Sequence, residues 1–161
     1  MSARIIVTAG TKVHVGPQTT ATPADASAWA ALTPWTEIVN LEDIGELAIN
    51  RQQINVSVIG DMFVRTFGGA QEPGAWALSG TWSPGDDGQA IIATAVNQNL
   101  LYPFRITFAD RLNAQGTDSV IYIHGQVLSY PVRPGGNQDV VRTTINVGIV
   151  APLVFVAATS G

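Results

Sequence analysis

The residues that could carry chemistry are few and scattered. His14 and His124 are the only histidines, and there is no cysteine. Thiolate nucleophiles, disulfides and Cys-ligated metals are therefore excluded. Both histidines fall in strand-like alternation, in KVHV and VIYIHGQV, where the side chain is read as a surface or packed residue rather than a general base. No H-x-x-x-H spacing is present, and neither is a G-x-S-x-G elbow or a phosphate-cradling glycine loop. The glycines of GGAQEPG and RPGGNQ sit beside proline and read as turns. Glu42, Asp43 and Glu46 cluster around an expected turn. They are read as a solvated strand end in preference to a calcium site. Asp86 and Asp87 precede an apolar run and are better used as helix caps than as acid–base groups. No catalytic residue, cofactor-binding residue or metal ligand is assigned, and no cofactor is expected; the chain reads as a protein without enzymatic activity.

Composition points the same way. A chain of 161 residues is read as a single domain over 1–161, long enough to bury a core. Charged residues make up 12 % of it, about half of the roughly 25 % of ordinary globular chains. So little charge suits a protein whose surface is largely covered by copies of itself. The net charge is −4, with one lysine, Lys12, and arginines spread thinly along the chain. Binding to a phosphate backbone needs a basic face, and the linear sequence offers none. The N-terminal MSARIIVTAG has too short an apolar run for a signal peptide, and no stretch approaches the ~20 apolar residues of a membrane helix. The chain is expected in the cytoplasm at synthesis.

The elements are mostly strands. ARIIVTAG and TKVHVG read as two strands meeting at Gly10. Residues 17–34, PQTTATPADASAWAALTP, read as a long loop with one helical turn at Asp25–Ala31; loops of this length are usually functional. Its Trp29, and Trp35 just beyond, should seek a partner surface. TEIVNL and GELAIN flank the Glu42–Asp43 turn. INVSV places Ile54, Val56 and Val58 on a core face against Asn55 and Ser57. AWALSGTW, YPFRITF, SVIYIHGQVLSY and VVRTTINVGIV alternate in the same way. Within SPGDDGQAIIATAVNQ, Asp86 and Gln89 have capping-box spacing, and Ile91, Ile92, Ala95 and Val96 form one apolar helical face. The fold class is mainly β: a β-sandwich or barrel-like core with one flanking α-helix. A transmembrane β-barrel fits poorly, because the aromatic girdles repeated on each strand are missing.

Taken in order, the motifs W…TEIVNLEDIGELAI, INVSVIGD…R, GGAQEPGAWALSGTWSPGDDGQAII, YPFRITF and VVRTTINVGI resemble the tail tube protein (major tail protein) of long-tailed siphophages and phage-like gene transfer agents. The resemblance runs from Thr11 to about Val150 and implies a tube module without an appended immunoglobulin-like domain. It implies a structural virion protein that forms hexameric rings, stacked into a hollow tube that conducts DNA without binding it specifically. The implied partners are further copies of itself and the tail terminator, tape measure and distal tail proteins, with no membrane insertion. The implied location is the virion tail, after assembly in the host cytoplasm. The helix would cover the outward face of each subunit. Trp29, Trp35 and the 17–34 loop would lie between subunits. Glu46, Asn55, Ser57, Asp61, Tyr122, His124, Gln126, Arg142, Thr144 and Asn146, on or beside the polar strand faces, would supply the lumen lining. The alternative from another class is a β-sandwich module binding sugars or surfaces, as in a decoration protein or adhesin, with the tryptophans as its platform.

Overall fold

The computed structural model describes residues 5–160. Strands dominate it. β1 (Lys12–Val15), β2 (Thr36–Ile38), β3 (Leu41–Asp43), β6 (Ala75–Thr81), β7 (Tyr102–Thr107), β8 (Val120–Ser129) and β10 (Arg142–Ile149) form an antiparallel sheet in the order β2-β1-β7-β8-β10-β6-β3. Two short strands, β9 (Val132–Arg133) and β11 (Val154–Val156), pair with β10 and β8. The remaining strands, β4 (Ile49–Val56) and β5 (Arg65–Pro73), pair only with each other.

The order of the strands dictates a curl. β2 and β3 lie at opposite ends of the sheet, yet only Val39 and Asn40 separate them in the chain. Three Cα–Cα steps span at most about 11 Å, so the two ends must approach one another. Asn40 makes the turn at φ 62°, a left-handed conformation that asparagine tolerates better than most residues. The core fills the curl. Val13, Val15, Ile38, Trp76, Leu78, Phe104, Ile106, Ile123, Ile145 and Val147 all point inward from alternate strand positions. Trp76 meets Phe104 edge-on at 5.9 Å, and its indole N–H donates to the Ile44 carbonyl at 2.7 Å.

A helix, α2 (Asp87–Ala95), packs into the curl against β1, β2 and β8. Asp86 caps it, its carboxylate accepting from the Gln89 N–H at 3.1 Å and from the Val39 N–H at 3.3 Å. Ile92 and Ala95 are fully buried, with Ile91 and Val96 packed beside them. Gly88 is required by contact: a Cβ there would lie 2.4 Å from the Glu37 carbonyl oxygen. Gln89 has the spacing of a capping box but does a different job. Its Oε1 accepts from the Ser83 N–H (2.9 Å) and the Tyr130 hydroxyl (2.8 Å), and its amide donates to the Thr81 carbonyl (3.0 Å). This buried amide ties the helix to the sheet.

Several expectations change. The first expected strand begins outside the described residues, and 5–10 form no strand. Glu42 and Asp43 lie in β3 rather than in a turn; the turn is two residues before Glu42, at Asn40. Ile54, Val56 and Val58 are not core residues. They belong to, or follow, the detached β4–β5 ribbon and are exposed.

Candidate assembly surfaces

The β4–β5 ribbon projects from the barrel as an arm. β4 has eight residues, which at ~3.3 Å per residue gives about 26 Å. From Asn50 to Glu72 every residue except Gly69 is exposed. Its register pairs Ile54 with Phe67 and Asn55 with Thr66. Directly opposed residues share a face, so Ile54, Val56 and Phe67 make an apolar side, and Gln53, Asn55 and Thr66 a polar one. At the tip Ile59 and Met62 are fully exposed and Phe63 is 74 % exposed. The ribbon carries Arg51 and Arg65 against Asp61 and Glu72, so its net charge is zero. A two-stranded ribbon with an uncovered apolar face is marginal in water.

The 17–34 segment does the reverse: it is a strap folded onto its own chain. It crosses the outer face of β7 and β8, the side opposite the core. A short helix, α1 (Ala26–Ala30), capped by Asp25, delivers Trp29 with no exposed surface. Trp29 stacks on Tyr122 at 5.4 Å and meets His124 edge-on at 5.9 Å. His124 is fully buried, with Nε2 2.7 Å from the Thr19 hydroxyl and Nδ1 2.8 Å from the Thr22 hydroxyl. Burial lowers its pKa. Tyr122 and His124 therefore cannot line a channel, and Trp29 cannot reach a neighbouring copy. The strap occupies the face that strand alternation leaves polar. Trp35 is half-buried, with the Arg105 guanidinium 4.8 Å above its ring.

The other expected lumen residues fall into two groups, with Gln126 apart from both. Asn55, Ser57 and Asp61 lie on the arm and Glu46 at its root, all exposed. Arg142, Thr144 and Asn146 share the outer face of β10, where each already has a partner. Arg142 pairs with Glu42 at 3.2 Å, Thr144 accepts from Arg133 at 2.8 Å, and Asn146 donates to Ser129 at 2.6 Å. Gln126, on β8, donates to Asn99. Asp43 accepts from the Gly45 N–H at 2.7 Å. Among the described residues no group of three or more potential metal ligands assembles.

One cluster escaped the linear reading. Lys12, His14, Arg105 and Arg111 line an open hollow of about 700 Å³ on the outer face, with Asp118 and Tyr122. Strand pairing builds it, setting His14 opposite Arg105 and Arg105 opposite Tyr122. Arg111 is neutralised by Asp118 at 3.1 Å, which holds that carboxyl below its usual range. His14 Nδ1 and Arg105 Nε are buried without a hydrogen-bond partner, a costly state for polar atoms. Burial lowers the pKa of both groups, and the nearby Arg105 charge lowers that of His14 further. Residues 12, 14, 105 and 111 are too far apart in sequence to suggest a patch; only pairing of β1 with β7 reveals it.

No protein-family model matches the chain, and no curated protein sequence matches it. Solved structures do. A chain of the anti-feeding prophage baseplate, determined with six-fold symmetrisation, aligns at TM-score 0.72 and 10 % identity over 98 % of each chain. The SPP1 tail tube aligns at TM-score 0.71 and 12 % identity over 94 % of this chain and 78 % of that one. A chain from the tail of an empty gene transfer agent particle, refined with C6 symmetry, aligns at 0.63 and 11 % over 91 % and 95 %. At these identities the likeness is one of architecture: this chain has the tail tube fold found in phage tails, gene transfer agents and contractile injection systems.

Proposed function

We propose that this chain is a structural tail protein, a single tube module that polymerises through its arm into six-membered rings stacked as a hollow tube. The observation that carries the reading is the arm, a ribbon whose apolar face packs against no other element among the described residues. Covering it requires another surface, and another copy is always present in a homopolymer. Arms laid side by side around a ring would also cap one another's free strand edges. The six-fold symmetry of the baseplate and gene transfer agent structures supports that ring size. With the apolar face turned to neighbours, Asn55 and Ser57 would face the lumen. The arm has no net charge, and the chain as a whole carries −4, so a passing DNA backbone would find little to grip. Gln126, Arg142, Thr144 and Asn146 would join that wall if the ring brings β10 inward. Terminator, tape measure and distal tail proteins would bound the tube, which would form in the host cytoplasm and leave in the virion. A sugar-binding module has less support. Trp29 and Trp76 are fully buried and Trp35 is half-buried, which leaves Trp82, 37 % exposed, as a single surface tryptophan rather than a platform.

The test is a triple substitution, Ile54→Ser, Val56→Ser and Phe67→Ser. Electron microscopy of the unaltered protein should show rings or tubes. The variant should stay monomeric by analytical ultracentrifugation with its thermal midpoint unchanged. Tubes formed equally well by the variant would refute the role of the arm.

A further inference from the structure

We infer that the hollow on the outer face is a carboxylate-binding site, completed in the assembly by Glu46 of a second copy. The inference rests on the self-assembly reading. Its first support is an unmet cation. The exposed Lys12 side chain has no hydrogen bond or ion pair among the described residues, and beneath it Arg105 Nε and His14 Nδ1 are buried without partners. Arg105 is held in place from above by Trp35, so its guanidinium is already oriented. The carboxylates nearest these donors do not meet them. Asp118 is bound to Arg111, and the Glu37 carboxylate, across the strand pair from His14, acts on that ring only through space, without a hydrogen bond or ion pair.

The second support comes from the acidic residues. Most are used within the chain. Asp25 and Asp86 cap helices. Glu42 and Asp61 pair with arginines. Asp43 and Asp139 accept backbone N–H groups, Glu72 accepts from Gln52, and Asp110 accepts from Ser119. Asp87 sits in the first turn of α2, where the helix dipole favours it. Two are left: Glu37, half-buried on β2 beside His14 of its own chain, and Glu46, which is exposed and has none of these roles. It stands where the arm leaves the barrel, the segment that assembly would press against a neighbour. An unpaired cation in a prepared hollow and an unpaired carboxylate at the root of the docking arm are complementary in a repeating head-to-tail contact.

Charge exchange tests this. Lys12 and Glu46 are both exposed, so Lys12→Glu and Glu46→Lys should fold normally, as circular dichroism will verify. Each alone should raise the critical concentration for assembly about tenfold, and the double variant should restore it to near the original value. Cross-linking adds geometry, because the chain has no native cysteine. Lys12→Cys chains mixed with Glu46→Cys chains should be joined by a short bismaleimide under assembling conditions. Assembly that is indifferent to the single reversals, or a double variant as defective as the two defects combined, would overturn the inference while leaving the tube reading intact. Failure of the unaltered protein to assemble at all would strike the tube reading instead.

Discussion

The strap and the arm are two excursions from one barrel, and they end up in opposite states. The strap, residues 17–34, is rich in Ala, Thr and Pro and has a single aromatic, Trp29. It is nevertheless clamped to β8 by a buried stack and by hydroxyl contacts to both nitrogens of His124. The arm has the better strand pattern and more apolar side chains, and it is left uncovered. Alternation shows that a face seeks apolar company. It does not say whether that company is in the same chain. The strap also shows that one tryptophan with a ready slot can anchor a segment whose composition looks loose.

The difference can be broken from either side. The largest effect should come from the arm: with Ile54, Val56 and Phe67 polar, assembly is lost while monomer stability moves by no more than about 0.5 kcal/mol. In the strap the effect is inverted. Trp29→Ala opens a cavity against Tyr122 and should cost about 3–5 kcal/mol in chemical denaturation, lowering assembly only as far as it unfolds the subunit. Excising residues 20–31 should likewise destabilise the fold rather than yield a sound monomer. A smaller loss, about 1–2 kcal/mol, is expected for Thr22→Val, which leaves one nitrogen of a buried imidazole unpaired.

The smallest effect is a pH dependence. Burial holds the His124 pKa below its ordinary 6.5, so the unfolded chain takes up this proton before the folded one. The contribution is fully present above pH 6.5 and declines as the pH falls from there towards the lower folded value. His124→Gln should flatten the stability profile between about pH 7 and 5 by up to about 1.4 kcal/mol per pH unit. The arm variant should leave that slope unchanged, because the arm contains no histidine.

Much of this was legible in the residues. The capped helix, the β-rich class and most strands follow from period and turn chemistry, and Asp86 caps α2 as its spacing requires. What could not be read was which covering each face receives. Alternation with Ile121 and Ile123 places Tyr122 and His124 on the wet face, but β8 is central and covered on both faces. The run VIYI at 120–123, apolar or aromatic at every position, is the available signal. The basic hollow was hidden because its cations come from β1, β7 and the loop after β7, separated by some ninety residues of chain. The arm was hidden for another reason: a ribbon that buries its apolar face in a neighbour has the same alternation as one that buries it at home.

Hydrogen exchange on the free and assembled protein tests the central claim most directly. A marginal ribbon exchanges quickly, whereas a clamped segment does not. Strap amides, including those of α1, should be protected equally in both states. The amides of β4 and β5 should exchange rapidly in the monomer and slow by at least about a hundredfold on assembly, corresponding to roughly 2.7 kcal/mol of local stabilisation. An arm already protected in the monomer, or one that still exchanges freely within assembled tubes, would contradict the account.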